Sequence, residues 1–291
     1  MSLACIHTHT DFCDGKDNIE DCCQSAFNKG MDSIGFSAHS PITGKTGIKS
    51  SWNLPDGKLY QYIDEVKAAK KRWEGRLPIY LGLEIDYIHG LMGPADKEYW
   101  EMDLDFVIGG LHYLIPSKGE PFTVDNKKEK VIKAIKESYG GDAMAMADDY
   151  YKTMAQMIEH GSFDILAHPD VIKKNNSGSS MFNEDGSDYR KLASVIPRLC
   201  AEKGILSEVN TGGLNRGRIK DCYPSQWLLD LFCSHGVNMV INADAHKAGE
   251  LDGHYDIAEK AMVNAGYSHT AIFTGRKEGR VVWKFQTLKI H

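Results

Sequence analysis

The sequence predicts an α/β barrel, and three observations carry that expectation. Short apolar runs alternate with longer amphipathic stretches seven or eight times along one uninterrupted chain, the pattern of a parallel sheet with crossover helices. The length of 291 residues is what a closed barrel with its helices needs, so one domain over 1–291 is expected. No Gly-x-Gly-x-x-Gly follows the first apolar run, which counts against a doubly wound open sheet.

In chain order, the runs expected to be strands are 3–7 (LACIH), 32–38 (DSIGFSA), 78–84 (PIYLGLE), 105–112 (DFVIGGLH), 164–168 (DILAH), 205–210 (ILSEVN), 237–243 (VNMVINA) and 270–274 (TAIFT). Each is short, apolar or β-branched, and bounded by Gly, Asp or Pro, as buried parallel strands are. Helical patterns cover 18–29, 58–74, 143–160, 189–203, 224–235 and 253–265. In the second of these, Tyr60, Ile63 and Val66 form a core face while Lys67, Lys70 and Lys71 lie on others. Segments 40–56 and 173–187, rich in Gly, Ser and Asn, are expected loops.

Composition narrows the function. Apolar residues at 42% and charged residues at 25% describe an ordinary globule, long enough to bury a core without disulfides or a structural metal. A net charge of −6 with no long basic run argues against a dedicated nucleic-acid binder. No apolar stretch approaches a membrane span, and Met1-Ser2-Leu3 opens no basic-then-apolar leader. The seven cysteines include no Cys-x-x-Cys, which reads as reduced thiols in a cytoplasmic protein. Cys5 is expected in a strand core and Cys13 in a loop.

The informative pattern lies at the strand ends. His7-Thr8-His9 closes the first run, His39 the second, Glu84 the third, His112 the fourth, His168-Pro169-Asp170 the fifth and Asp244-Ala245-His246 the seventh. In a barrel these ends converge on one mouth, where reactive residues sit. Six of the twelve histidines fall there; the others, His89, His160, His235, His254, His269 and His291, fall in loops, helices or the tail. A single such histidine is usually structural, but six imidazoles and several acids crowded together would cost several kcal/mol unpaired. Divalent metals satisfy all of them, and a His/carboxylate set suits Zn, Fe or Mn. His7 and His9, two apart on a strand, can chelate one ion.

The set His7-Thr8-His9-Thr10, Asp14-Gly15, His39-Ser40-Pro41, Glu84, Gly110-Leu111-His112, His168-Pro169-Asp170 and Asp244-Ala245-His246 resembles the polymerase-and-histidinol-phosphatase (PHP) family, in that family's motif order. Asp86-Tyr87, 163–174 (FDILAHPDVIKK) and 208–227 (EVNTGGLNRGRIKDCYPSQW) are similar to its histidinol-phosphate phosphatase branch. The resemblance implies a distorted seven-stranded TIM-like α/β barrel holding two to three divalent transition metals (Zn, Fe or Mn). It implies that His7, His9, Glu84 and Asp244 hold the first, Glu84, His112 and His168 the second, and Asp14, His39 and His246 the third. Glu84, Asp244, His246 and Asp170 would form the catalytic group. The implied reaction is hydrolysis of L-histidinol phosphate to histidinol and phosphate by a metal-bridging hydroxide. Three divalent ions outweigh the three ligand carboxylates, so the mouth of an acidic protein would still attract a phosphate dianion.

Substrate contacts are expected from Arg216 and Arg218, which follow the sixth run in a Gly-rich loop, and from Lys173, with Lys174 beside it. Asp170 could protonate a leaving alkoxide or orient a histidine, the second being favoured. Trp52, Tyr87 and Tyr113 shape an imidazole pocket or pack the core, and packing is favoured. Two other functions compete: a phosphodiesterase or exonuclease on nucleotides using the same metals, and a metal-binding module without catalysis. The lack of a basic, aromatic-lined track counts against the first, and the full set of nine ligand positions against the second. The expected partner is a small phosphorylated substrate, with neither nucleic acid nor membrane.

Overall fold

The computed structural model describes residues 3–289; Met1, Ser2, Ile290 and the tail residue His291 lie outside the described residues. Seven parallel strands form the central sheet in spatial order β1-β2-β3-β4-β7-β8-β9. They are β1 (Ala4–Cys5), β2 (Ser33–His39), β3 (Ile79–Asp86), β4 (Phe106–Gly110), β7 (Ile165–Leu166), β8 (Leu206–Asn210) and β9 (Met239–Asn242). Two antiparallel hairpins stand outside it: β5 (Tyr113–Leu114) with β6 (Phe122–Thr123), and β10 (His269–Lys277) with β11 (Arg280–Thr287). The expected distorted seven-stranded α/β barrel is the fold observed.

The sheet nearly closes on itself along the β1–β9 seam. A single parallel bridge joins Thr8 to Ala245, with His9 N–H donating to Ala245 O at 2.8 Å and Ala245 N–H to His7 O at 3.1 Å. Below it, Ile6 N–H donates to the Asn242 side-chain oxygen at 3.0 Å, and the Tyr255 hydroxyl lies 2.9 Å from Ala4 O and 3.3 Å from Ile241 O. Side chains thus do here what a ladder does elsewhere. β1 is consequently shorter than the expected 3–7: it ends at Cys5, and His7 and His9 ride on the bridged extension beyond it.

Alternation sorts the strand residues into two layers. Leu81, Leu83 and Ile85 of β3 join the main core beneath the helices. The opposite face carries Gly82, Glu84 and Asp86. Lower in the barrel, Ile6, Phe106, Ile108, Ile165, Ala167 and Val240 form a separate apolar cluster. Phe273 of β10 plugs it from below, its ring 4.7 Å from Tyr80, 5.3 Å from Phe106 and 5.4 Å from Trp283. The run expected as an eighth strand is therefore half of a hairpin that seals the barrel floor, latched by Arg276 on Asp164 at 2.9 Å.

Apart from the one-turn helices Lys97–Trp100 and Gly212–Asn215, which no pattern predicted, the helices differ from expectation in three places. Tyr60 is 70% exposed, while Tyr62 joins Ile63, Val66 and Ala69 on the buried face. The pattern expected over 189–203 splits at Ser194 into Ser187–Ala193 and Val195–Lys203. Pro197 accounts for the break, because its ring clashes with the carbonyl four residues back and it has no N–H to bond there. Lys128–Tyr139 is an additional helix whose buried residues are only Val131 and Ile135. Among the described residues, no helix is long and apolar enough to cross a membrane.

The plug generates one prediction. Phe273→Ala should lower unfolding free energy by about 3–5 kcal/mol in denaturant titration, since the ring is 1% exposed. An unchanged midpoint would show that the hairpin merely lies on the floor.

Candidate metal centre

Parallel strands bring their C-terminal ends to one mouth, and β3 places Glu84 at its middle. Register sets His39 of β2 beside Glu84 and Ile108 of β4 on its other side. Around the carboxylate stand five imidazoles. Oε2 lies 3.2 Å from His7 Nε2, 3.5 Å from His9 Nε2 and 3.0 Å from His39 Nδ1; Oε1 lies 3.1 Å from His168 Nε2 and 3.7 Å from His112 Nε2. Gly110 leaves the space for this, because a Cβ there would sit 2.9 Å from Glu84 Oε1.

Asp14 and Asp244 flank the cluster. Asp14 Oδ2 is 3.1 Å from His246 Nε2, and its Oδ1 faces His39 Nε2 at 3.8 Å. Asp244 Oδ1 is 3.3 Å from His9 Nε2 and 3.5 Å from His246 Nδ1. Asp244 reaches this position from a left-handed backbone, φ 46°, a conformation Asp tolerates better than most residues. The nine residues expected as metal ligands, Asp14 among them, therefore meet in one cluster.

Two acids behind the imidazoles, to which the sequence reading gave no role, fix the ring orientations. Glu208 of β8 accepts from His7 Nδ1 at 2.9 Å and also from the Asn210 and Asn242 amides at 2.7 and 2.9 Å. Asp86 accepts from His112 Nδ1 at 2.8 Å and from the Asn53 amide at 3.0 Å. His246 Nδ1 lies 3.0 Å from the Asp244 carbonyl. In His7 and His112, Nδ1–H donation to a carboxylate leaves Nε2 of the neutral ring as a lone pair aimed at the cluster centre. The signal for Glu208 and Asp86 was their parity: each is an acid at an inward position of a buried strand.

Several of these atoms are buried without a hydrogen bond: His7 Nε2, His9 Nε2, Asp14 Oδ1, His39 Nδ1 and Glu84 Oε2. Buried polar atoms left this way are expensive, and nitrogen and oxygen donors converging in groups of three and four are what a divalent transition metal would satisfy. The residues fit such ions. The electrostatics agree. Burial draws His7 down, but Glu208, Glu84 and Asp244 outweigh it and raise its pKa well above the usual imidazole value. Burial likewise opposes Asp86 and Glu84 at His112, which is nevertheless pushed up to about 10. His39 is also raised, against its burial, chiefly by Glu84. His9 is lowered to about 3 by burial and by His39 and His246. Glu84 and Asp244 are held well below the carboxylate range despite burial, by His39 and His7 in one case and Arg216 and His7 in the other. The cluster is a sink for positive charge.

A cavity of about 380 Å³ opens above it. Trp52 lines the wall, with Tyr113 stacked behind it at 5.4 Å; Tyr87 packs in the core instead. Arg218 lines the rim, and its guanidinium makes no hydrogen bond among the described residues. Arg216 also lines the cavity, but its terminal nitrogens reach Asp244 Oδ2 at 3.0 Å and Asp244 O at 2.9 Å. It buttresses Asp244 as well as facing the cavity.

Two expected site residues lie elsewhere. Lys173 is buried, donating to Asp221, Cys222 O and Ser225 at 3.1, 2.8 and 2.8 Å; Lys174 lines the cavity in its place. The 3-10 turn Val171–Asn175 points the two neighbours in different directions. Among the described residues, Asp170 bonds no histidine, and it does not line the cavity. Its Oδ2 accepts from Ser225 N–H and Oγ at 2.7 Å each, at the start of helix Gln226–Ser234, where a carboxylate is favoured by the helix dipole.

Comparison with known proteins places this geometry. The chain is 28% identical over 272 residues to a Deinococcus radiodurans protein named "Probable histidinol-phosphatase", covering 93% of this chain and 96% of that one. It is 27% identical over 270 residues to the histidinol-phosphatase of Bacillus subtilis, covering 86% and 96%. A crystal structure of the Lactococcus lactis histidinol phosphate phosphatase, complexed with zinc, L-histidinol and phosphate, superposes with a TM-score of 0.70 at 18% identity, over 97% of this chain and 99% of that one; that likeness carries the fold. The PHP domain family matches residues 6–212, which hold seven of the nine clustered residues and most of the barrel. This chain belongs to the PHP domain family.

Proposed function

We propose that this protein is a metal-dependent phosphomonoesterase that hydrolyses L-histidinol phosphate to L-histidinol and phosphate. The observation that carries the reading is the set of unbonded nitrogens and oxygens around Glu84, at the floor of a cavity rimmed by Arg218, Lys174 and Lys130. The names of the Deinococcus and Bacillus relatives, matched along nearly their whole lengths, support the substrate.

His7, His9, Glu84 and Asp244 would hold a first divalent ion, Glu84, His112 and His168 a second, and Asp14, His39 and His246 a third, with zinc, iron and manganese the candidates. Such ions supply a water of lowered pKa and charge to polarise the phosphoryl oxygens. The chain's own residues do the rest. Glu208 and Asp86 hold His7 and His112 in the tautomer that presents Nε2. Arg216 fixes Asp244, while Arg218 and Lys174 bind phosphate oxygens. Tyr223 lines the same cavity; burial and Asp170 raise its pKa well above the usual phenol value, so the hydroxyl stays protonated and donates. The walls at Trp52 and Val171 exclude water from one side of the ester.

Protein reconstituted with Zn, Mn or Fe should turn over L-histidinol phosphate faster than generic phosphomonoesters by at least about 10², because selectivity must come from binding the remote part of the substrate. Faster turnover of phosphodiesters or 3′-terminal nucleotides would give the case to the nuclease reading. Glu208→Gln should lower metal affinity or activity by about 10–100-fold. Glu84→Gln should cost more, because it removes a carboxylate shared between ions. Wild-type metal content and rate in Glu84→Gln would remove the bridging assignment.

Metal uptake should also release protons. In the metal-free chain the pKa values of His7, His39 and His112 are raised, so these rings hold their protons to higher pH than a free imidazole, whereas a ligand imidazole must be neutral. Loading therefore weakens as pH falls. A zinc titration in dilute buffer with an indicator dye should show acidification at pH 7.5; a silent dye would mean the rings are already neutral.

A further inference from the structure

We propose that Asp125, paired with Lys174 on the cavity wall, recognises an ammonium carried on the carbon beside the phosphate ester, so that the site selects aminoalkyl phosphomonoesters. The inference rests on the phosphomonoesterase reading and assigns a residue to the part of the substrate that the metals and arginines do not touch.

Four carboxylates line the cavity: Asp14, Glu84, Asp244 and Asp125. The first three belong to the cluster around the histidines. Asp125 stands apart, just after β6, on a segment pinned to the site by Val124 N–H donating to His112 O at 2.9 Å. Lys174 Nζ donates to Asp125 Oδ2 at 2.9 Å, and the Asn175 amide holds Asn126 O at 2.7 Å. The other oxygen, Oδ1, has no hydrogen bond among the described residues, and the side chain is 26% exposed on a residue that lines the cavity. Burial would favour the neutral acid, but Lys174 and His112 outweigh it and hold the pKa at about 2.

An ionised carboxylate is out of place in a mouth built for an anion. Lys130, Lys174, Arg216 and Arg218 line the same space, and Asp125 offsets part of their pull on phosphate. The part-buried Lys174–Asp125 pair uses only one carboxylate oxygen, so holding a segment in place does not account for the unshared one. A substrate bearing both charges does. Lys174 with Arg218 faces the phosphate, and Asp125 Oδ1 accepts from the adjacent ammonium in a charge-assisted hydrogen bond. A phosphomonoester lacking the amine gains nothing from Asp125 and is repelled by it, which is selection by an attractive and a repulsive element together.

The test compares kcat/KM for L-histidinol phosphate with that for its des-amino counterpart, 3-(imidazol-4-yl)propyl phosphate, in zinc-loaded wild type and Asp125→Asn. The aminated/des-amino ratio should fall at least tenfold in Asp125→Asn, mainly through KM for the aminated ester. Asp125→Glu, which keeps the charge but moves it, should lower the ratio at least threefold and serves if the Asn variant folds poorly. A ratio equal to wild type in either folded variant, including a parallel loss on both esters, overturns the proposal and leaves Asp125 as a prop for Lys174. If wild type prefers another aminated phosphomonoester, the histidinol phosphate reading fails. The Asp125-dependent ratio on that ester and its des-amino form then decides the inference separately.

Discussion

One buried carboxylate organises the upper half of this barrel. Both oxygens of Glu84 are ringed by imidazole nitrogens at 3.0 to 3.7 Å, contributed by the β1 extension, β2, the end of β4 and the end of β7. An ionised group 1% exposed survives only if positive charge surrounds it. That demand explains the residue types around it, the glycine at 110 that makes room for it, and the raised pKa values of His7, His39 and His112. It also explains the second tier: Glu208 and Asp86 bring negative charge behind His7 and His112, so these two rings are each held between two carboxylates with one side of their chemistry already decided.

The lower half answers to a different constraint. A barrel with polar strand ends needs an apolar stack beneath them to pack against, and here Phe106, Ile108 and Ile165 supply it while Phe273 closes the floor from outside the sheet. Site and plug lie at opposite ends of the same strands. Floor and mouth share β3 and β4, whose paired register carries both Gly82, opposite Phe106, and Glu84.

Much of this was legible in the sequence, and the reasons are physical. The barrel followed from alternation, chain length and the missing Gly-x-Gly-x-x-Gly, and the cluster from histidines and acids at strand ends, because parallel connectivity forces those ends together whatever the details of each strand. What was illegible depended on direction. Lys173 and Lys174 are neighbours in sequence, yet a 3-10 turn buries one ammonium and turns the other into the cavity. Asp170 follows a clustered histidine by two residues, but a helix N-terminus captures it. The helix Lys128–Tyr139 has a narrow buried face of Val131 and Ile135, too little for periodicity to stand out against its charges. Tyr60 and Tyr62 exchanged places because Tyr60 lies three residues before Ile63 and Tyr62 four before Val66, so both spacings suit one helix face and only packing chooses between them.

The β1–β9 seam gives the centre a mechanical role. His7 and His9 lie on one lip of that seam, Asp244 and His246 on the other, and the backbone between the lips is joined by little more than the Thr8–Ala245 bridge. An ion gripping residues from both lips would act as a clasp on an otherwise weakly zipped cylinder. Ligand that binds only the closed form stabilises it by mass action, so occupancy and barrel closure become one equilibrium. A chelator acting on such a protein would work as a crowbar at the joint, prying β1 and β9 apart while the far wall of β3 and β4, fully laddered, stays standing.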